Sequence, residues 1–197
     1  MRAVQVVTGR AVPLDRSDVD TDQIIPSDWL KRVERTGFGA GLFSEWRDDR
    51  DFVLNKEEYA GATILVAGPN FGTGSSREHA VWALQDYGFE AVVSPGFADI
   101  FRNNCTKAGL VPVQVDPSVG RALLDALQAD PGLEITIDVE RGTLDAPAAG
   151  IEAHFPLDEF IRARLLNGWD DIGLTLRYED EIEAYEARRP AWLPTTR

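Results

Sequence analysis

The segment Asn70-Phe71-Gly72-Thr73-Gly74-Ser75-Ser76-Arg77-Glu78-His79 gathers two serine hydroxyls and a guanidinium behind a pair of glycines. Glycine lets backbone approach a ligand closely, and the free N–H groups at the start of a following helix attract anions. Two nucleotide-binding readings fail on particular residues. A phosphate-binding P-loop needs Gly-Lys-Ser/Thr, and this stretch has no lysine; a dinucleotide fingerprint needs a third glycine where Arg77 stands. What remains is a helix start with hydroxyls and an arginine. Arg77 can grip a carboxylate through two parallel hydrogen bonds, which suits a carboxylic-acid substrate. A serine works here as a base only if its alkoxide is stabilised by the helix start, backbone N–H groups and arginine charge. The same letters also spell a capping box, Ser75 with Glu78 three positions on. That commoner structural use competes with the catalytic one, and a plain surface arginine competes with the clamp.

Such a loop needs a strand before it and a helix after it. Residues 62–67 are apolar and partly β-branched, a buried strand; 76–87 has helical spacing, with Ala80, Ala83, Leu84 and Tyr87 on one face. Strands at 91–93 and 110–113 flank a helix at 97–108, with Phe97, Ile100, Phe101 and Cys105 expected inward. Strand–helix–strand–helix–strand is the pattern of a parallel sheet packed by helices, hence an α/β fold. A first strand is expected at 4–7, then a turn-rich stretch at 13–26 dense in aspartate (Asp15, Asp18, Asp20, Asp22). Asp20 and Asp22 read as turn formers, or as residues that orient an arginine or a loop. Basic residues follow at 31–35, then Gly37, Gly39 and Gly41, a mobile loop by composition. Later, Leu123, Leu124 and Leu127 mark a helix, 133–137 alternates as a half-exposed strand, and 157–166 is a helix stopped by Asn167-Gly168. A charged helix at 179–189, acidic first and basic last, ends at Pro190. One domain is expected over 1–190, with a loose tail at 191–197.

Composition limits the partners. The 197 residues carry a formal net charge of -13, with a sequence pI near 4.5. Bulk attraction to nucleic acid or to anionic membrane is therefore not expected. An anionic substrate would need a local basic patch. The lone cysteine, Cys105, cannot form an intrachain disulfide, which fits a reducing cytoplasm. One cysteine cannot hold an iron–sulfur cluster, and His79 with His154 is too sparse a set for zinc. Neither a signal-peptide core nor a run of ~20 apolar residues is present, so a soluble chain is expected.

Gly72-Thr73-Gly74-Ser75-Ser76-Arg77-Glu78-His79-Ala80 resembles a signature of the swivelling β/β/α domain of aconitase-type hydro-lyases, a domain with a mostly parallel sheet packed by helices. Val19-Asp20-Thr21-Asp22-Gln23-Ile24-Ile25-Pro26 resembles a second signature. Residues 35–39, 82–89 and 170–176 resemble the isopropylmalate branch in particular, and the likeness runs from about Val4 to about Pro190. It implies a lid-like small subunit that closes over a separate large subunit. The large subunit holds a [4Fe–4S] cluster that acts as a Lewis acid on the substrate hydroxyl. It implies exchange of 2-isopropylmalate and 3-isopropylmalate through isopropylmaleate, a step of leucine biosynthesis in the cytoplasm. By the same resemblance Ser75 is the base and Arg77 a carboxylate ligand, with Ser76 beside them. His79 and Cys105 are read as structural.

The resemblance also has a departure. Aconitases carry an arginine for a third carboxylate after the aspartate signature; here Trp29-Leu30-Lys31-Arg32-Val33 stands there, with Val33 near that place. Trp29 and Leu30 are candidates for an apolar wall facing an isopropyl group, or for ordinary core packing. Lys31 is a candidate carboxylate contact or a plain surface charge. Two other functions stay open: a sister hydro-lyase of homoaconitase or citraconate-hydratase type, and a non-catalytic dicarboxylate-binding module.

Overall fold

The computed structural model describes residues 1–31, 36–190 and 192–193. Seven strands form one sheet in the order β4-β3-β2-β1-β5-β6-β7. These are β1 (Val6–Leu14), β2 (Ile64–Ala67), β3 (Ala91–Ser94), β4 (Val111–Gln114), β5 (Glu134–Asp138), β6 (Thr143–Ala146) and β7 (Ile151–His154). The central strand β1 serves two neighbours in succession. Its first half, Val6 to Arg10, pairs antiparallel with β5; its second half, Ala11 to Leu14, pairs parallel with β2. From there β2, β3 and β4 continue in parallel, while β5, β6 and β7 continue antiparallel. The α/β swivelling-domain class holds, and parallel pairing fills one side of β1 rather than most of the sheet.

The two halves bury differently. In β2 and β3, alternate residues enter opposite cores: Leu65 and Val92 face one, Ile64, Val66, Ala91 and Val93 the other. Helices α2 (Glu78–Tyr87) and α3 (Asp99–Ala108) cover the first face through Ala80, Leu84, Phe101 and Cys105. Helix α4 (Pro117–Ala129) covers the second with Leu123, Leu124 and Leu127. A strand covered on both faces reads as an unbroken apolar run, which is why 62–67 was legible. Strand β5 buries Ile135 and Ile137 and leaves Glu134 exposed, the alternation of a one-sided antiparallel strand.

Several expectations need correction. Helix α2 starts at Glu78, two residues later than the spacing suggests, because Gly74 turns the chain at φ +87° and the residues after it stay in the loop. Ile100 lies on the outer face of α3 and is exposed, although Phe101 and Cys105 point inward. Strand β1 begins at Val6 and runs into the stretch expected as turns. Residues 37–41 form a packed turn, with Phe38, Gly39 and Gly41 buried. The Gly39 N–H donates to Asp86 Oδ2 at 2.8 Å, and a Cβ there would meet the α2 backbone at 2.8 Å, so glycine is what lets this turn lie against α2. His79 keeps company that suits its expected structural use: its ring centre sits 5.3 Å from that of Phe38 and 4.6 Å from that of Trp82. The C-terminal third adds α5 (Glu159–Asn167), α6 (Asp171–Leu176) and α7 (Glu179–Ala187). Gly168 closes α5 in the left-handed conformation, as the Asn-Gly stop suggests.

Candidate active site

The carboxyl ends of β1 and β2 lie side by side, and the loops that leave them form the candidate site, the usual place for ligands on a parallel sheet. Each loop has, near its start, a non-glycine residue in the left-handed region, Asp18 at φ 56° and Asn70 at φ 63°. The Asn70 side chain donates to Asp18 Oδ1 at 2.6 Å, which ties the two starts together. The loops then pair along their backbones. Gly72 N–H donates to the Val19 carbonyl at 2.7 Å, and Thr21 N–H donates to the Thr73 carbonyl at 2.8 Å. The two motifs, separate in the sequence, are thus one laced unit.

Side chains extend the lacing. Asp20 caps the short helix α1 (Thr21–Ile24): its Oδ1 accepts from Gln23 N–H at 2.8 Å, and Gln23 Oε1 accepts from Asp20 N–H at 3.0 Å. The capping box in this protein is therefore Asp20–Gln23. The Ser75–Glu78 box does not form, since Arg77 occupies the cap position of α2 without a side-chain cap. Thr21 Oγ1 donates to the Ser75 carbonyl at 2.9 Å. Arg77 Nη1 donates to Asp22 Oδ1 in a close ion pair and to the Ile25 carbonyl at 3.5 Å. Asp20 bonds its own backbone at the helix start, and Asp22 pairs with an arginine.

These bonds leave the reactive groups open. Ser75 and Ser76 are exposed, and among the described residues neither hydroxyl makes a hydrogen bond. Arg77 is mostly covered, its side chain 16% exposed, with Nη1 committed to Asp22 and the other guanidinium N–H groups uncommitted among the described residues. The arrangement can present a fixed guanidinium edge to a carboxylate, with two hydroxyls one and two residues before it. The positive charge of Arg77 is already partly answered by Asp22. Beside the site, Arg16 stacks its guanidinium 4.1 Å from the Trp46 ring centre.

The two candidates for the substituent wall and the candidate carboxylate contact, Lys31, separate. Residues 27–31 make a tight helical turn that starts just after the Ile25 carbonyl touched by Arg77. Trp29 is partly buried against the core, and a Cβ on Gly41 would meet its ring at 2.4 Å. Leu30 is half-buried and stands outside that core cluster. Lys31 Nζ donates to Asp28 Oδ1 at 2.9 Å, with both side chains exposed, and the pairing raises the lysine pKa and lowers the aspartate's. Arg32 to Arg35, with Val33, lie outside the described residues.

Sequence reasoning missed Thr21 altogether. The Asp20-x-x-Gln23 spacing was a usable signal for the cap. Nothing local signals a bond between Thr21 and a residue 54 positions away.

Comparison with known proteins converges on one family. Residues 1–118 match the Aconitase C-terminal domain family, and 171–196 match the C-terminal domain of the 3-isopropylmalate dehydratase small subunit. The chain is 64% identical to the 3-isopropylmalate dehydratase small subunit of a Parafrankia species and 63% identical to that of Frankia casuarinae, with 100% of each chain covered in both cases. It is also similar to a crystal structure of 3-isopropylmalate dehydratase from Methanocaldococcus jannaschii, at TM-score 0.66 and 26% identity, covering 92% of this chain and 99% of that one. Likeness of this extent places the protein in a defined group: it belongs to the 3-isopropylmalate dehydratase small subunit family.

Proposed function

We propose that this chain is the small-subunit half of a hydro-lyase that interconverts 2-isopropylmalate and 3-isopropylmalate in the cytoplasm, and that it acts only with a large subunit. The observation that supports this most is the lacing of the two loops, which holds Arg77 and frees the Ser75 hydroxyl on one surface. In this reading Arg77 grips a substrate carboxylate, and Ser76 lies close enough in sequence to add a hydrogen bond. Ser75 Oγ, as the alkoxide, takes the proton from the substrate carbon. Loss of water gives isopropylmaleate, and water returns at the neighbouring carbon. Leu30 contributes to the wall that meets the isopropyl group.

This chain's residues do not fit a [4Fe–4S] cluster. Its one cysteine, Cys105, is buried in the core, where burial pushes the thiol pKa well up, away from the thiolate a cluster needs. Among the described residues no group of three or more His, Cys, Asp and Glu could hold a metal ion. We assign the cluster of this family to the large subunit. Among the described residues of the two laced loops Arg77 is already shared with Asp22, and we assign further positive charge for a dicarboxylate to the partner. No helix among the described residues is long and apolar enough to cross a membrane.

The test is turnover of 2-isopropylmalate and citrate by this chain with and without a cluster-loaded large subunit. Turnover that needs both chains and favours 2-isopropylmalate is the expected result. Preference for another hydroxy acid would make it a sister hydro-lyase. No turnover with a competent large subunit would leave a dicarboxylate-binding module.

A further inference from the structure

Helix α7 has no buried residue in any of its nine positions. A helix this short is marginal in water on its own propensity and is ordinarily held by packing of an apolar face. Helix α7 carries such a face, unfilled. Tyr178, Ile182 and Tyr185 follow the i, i+4, i+7 spacing of one stripe, and all three are exposed, Tyr185 at 61%. Before them on α6, Ile172 and Leu176 stand one turn apart and are also exposed, Ile172 at 71%.

The base of this arm is firmly fixed. Asp170 caps α6 through the Gly173 N–H at 2.7 Å and lies 3.6 Å from the amino group of Met1. Asp171 accepts from the buried Arg164 at 2.5 Å and lies 3.8 Å from Lys107. The arm is therefore anchored at its root and bare along its apolar stripe.

Charge selects the occupant. Glu179, Asp180, Glu181, Glu183 and Glu186 share α7 with the stripe; on a helical projection Glu181 flanks one side of it, Glu179 and Glu186 the other. Arg188 and Arg189 follow only beyond the last turn of α7, so a second copy laid on the stripe would bring the same five carboxylates to that surface against two arginines at one end. The complementary surface is an apolar groove with arginine or lysine on both walls. The arm also lies within residues 171–196, which match the small subunit's own C-terminal domain and not the Aconitase C-terminal domain.

We propose that the α6–α7 arm is a docking element for the large subunit, with Ile172, Leu176, Tyr178, Ile182 and Tyr185 seated in a basic-rimmed apolar groove. This rests on the reading above that a large subunit is the partner. The experiment measures association of the full chain with a cluster-loaded large subunit by surface plasmon resonance. It compares the native chain, an Ile182→Ser/Tyr185→Ser variant and a Glu181→Lys/Glu186→Lys variant. Amide hydrogen exchange of α7 is followed with and without the partner. The expected result is a loss of affinity of about 10-fold or more for the apolar variant. The charge variant should associate more slowly with a flatter salt dependence. The α7 amides should exchange fast alone and slowly in the complex, while the melting temperature of both isolated variants stays that of the native chain. Native affinity in both variants, with α7 amides unprotected in a complex that forms, would overturn the docking surface and leave the partnership standing. A native chain that binds no large subunit overturns both. Self-association abolished by the apolar variant would make the occupant a second copy and overturn the assignment.

Discussion

Thr21 Oγ1 donates to the Ser75 carbonyl at 2.9 Å, so the hydroxyl of one motif fixes the backbone of the other. Thr21 is buried, and replacing it with valine keeps its shape while removing the donor. Loss of a single neutral hydrogen bond costs about 1 kcal/mol of stability. The effect on turnover should be larger than that figure suggests, because a small displacement of Ser75 misaligns it with the substrate carbon. Thr21→Val should lower kcat roughly 10-fold with KM little changed, and Thr21→Ser should restore it. Steady-state kinetics of the assembled enzyme, with thermal melting of each variant, separate positioning from a folding defect.

Arg77 and Asp22 make a second prediction. Lysine cannot reproduce the guanidinium fork, so Arg77→Lys should raise KM roughly 10- to 150-fold, the worth of one charge-assisted hydrogen bond. Asp22→Asn keeps one acceptor and removes the charge that holds the guanidinium. Asp22 is more than half exposed, so stability should change by less than about 1 kcal/mol. If substrate affinity is as native in Asp22→Asn, this aspartate does not orient the arginine for substrate.

Ser75→Ala removes the proposed base without touching the lacing, since the Thr21 bond uses the Ser75 backbone. A general base contributes about 10²- to 10⁴-fold, so kcat should fall by that range while KM holds. Turnover within a few-fold of native would assign the proton transfer to another group.

The residues near the proposed wall predict opposite outcomes. Lys31 is paired with Asp28 on the surface, so Lys31→Met should leave KM within about two-fold of native. Leu30→Ala should weaken binding of 2-isopropylmalate by about 1–3 kcal/mol and affect a substrate lacking the isopropyl group less. An equal loss on both substrates would remove Leu30 from the wall.

The parallel side of the fold was legible because burial on both faces writes an unbroken apolar run, as in Ile64 to Ala67. The antiparallel side was harder. Strands β6 and β7 alternate, as Thr143-Leu144-Asp145-Ala146 and Ile151-Glu152-Ala153-His154, but an alternation of four residues with two apolar members is too short to stand out where β2 shows four apolar residues in a row. At the site, Gly72, Ser75 and Arg77 stood out by type and spacing. The Thr21 contact did not, nor did which arginine Asp22 meets, because these bonds join residues more than 50 positions apart through a pairing of loops that exists only once β1 and β2 are side by side. The α2 start was misread for a related reason. Ser75-x-x-Glu78 fits a capping box locally, but Gly72 and Gly74 hold positive φ and commit the serines to the neighbouring loop.

Gly72 tests how the serine loop is seated. Its φ is +79°, a conformation L side chains rarely adopt, and a Cβ there would meet Phe101 Cγ at 2.2 Å. Gly72→Ala therefore combines backbone strain with a clash against a fully buried ring on α3. Together these should cost about 2–4 kcal/mol, readable as a drop in melting temperature. The two causes can be told apart. Phe101→Ala removes Cγ and Cδ1, the ring carbons that the new methyl meets, but leaves φ unchanged. In a double-mutant cycle the pair should cost less than the sum of the single changes, by the part of the loss due to the clash. Strict additivity would mean that backbone conformation alone requires glycine at 72. A large negative coupling would mean that the Phe101 ring sets how closely the Ser75 loop lies on α3, and activity of the double variant should then recover with its stability.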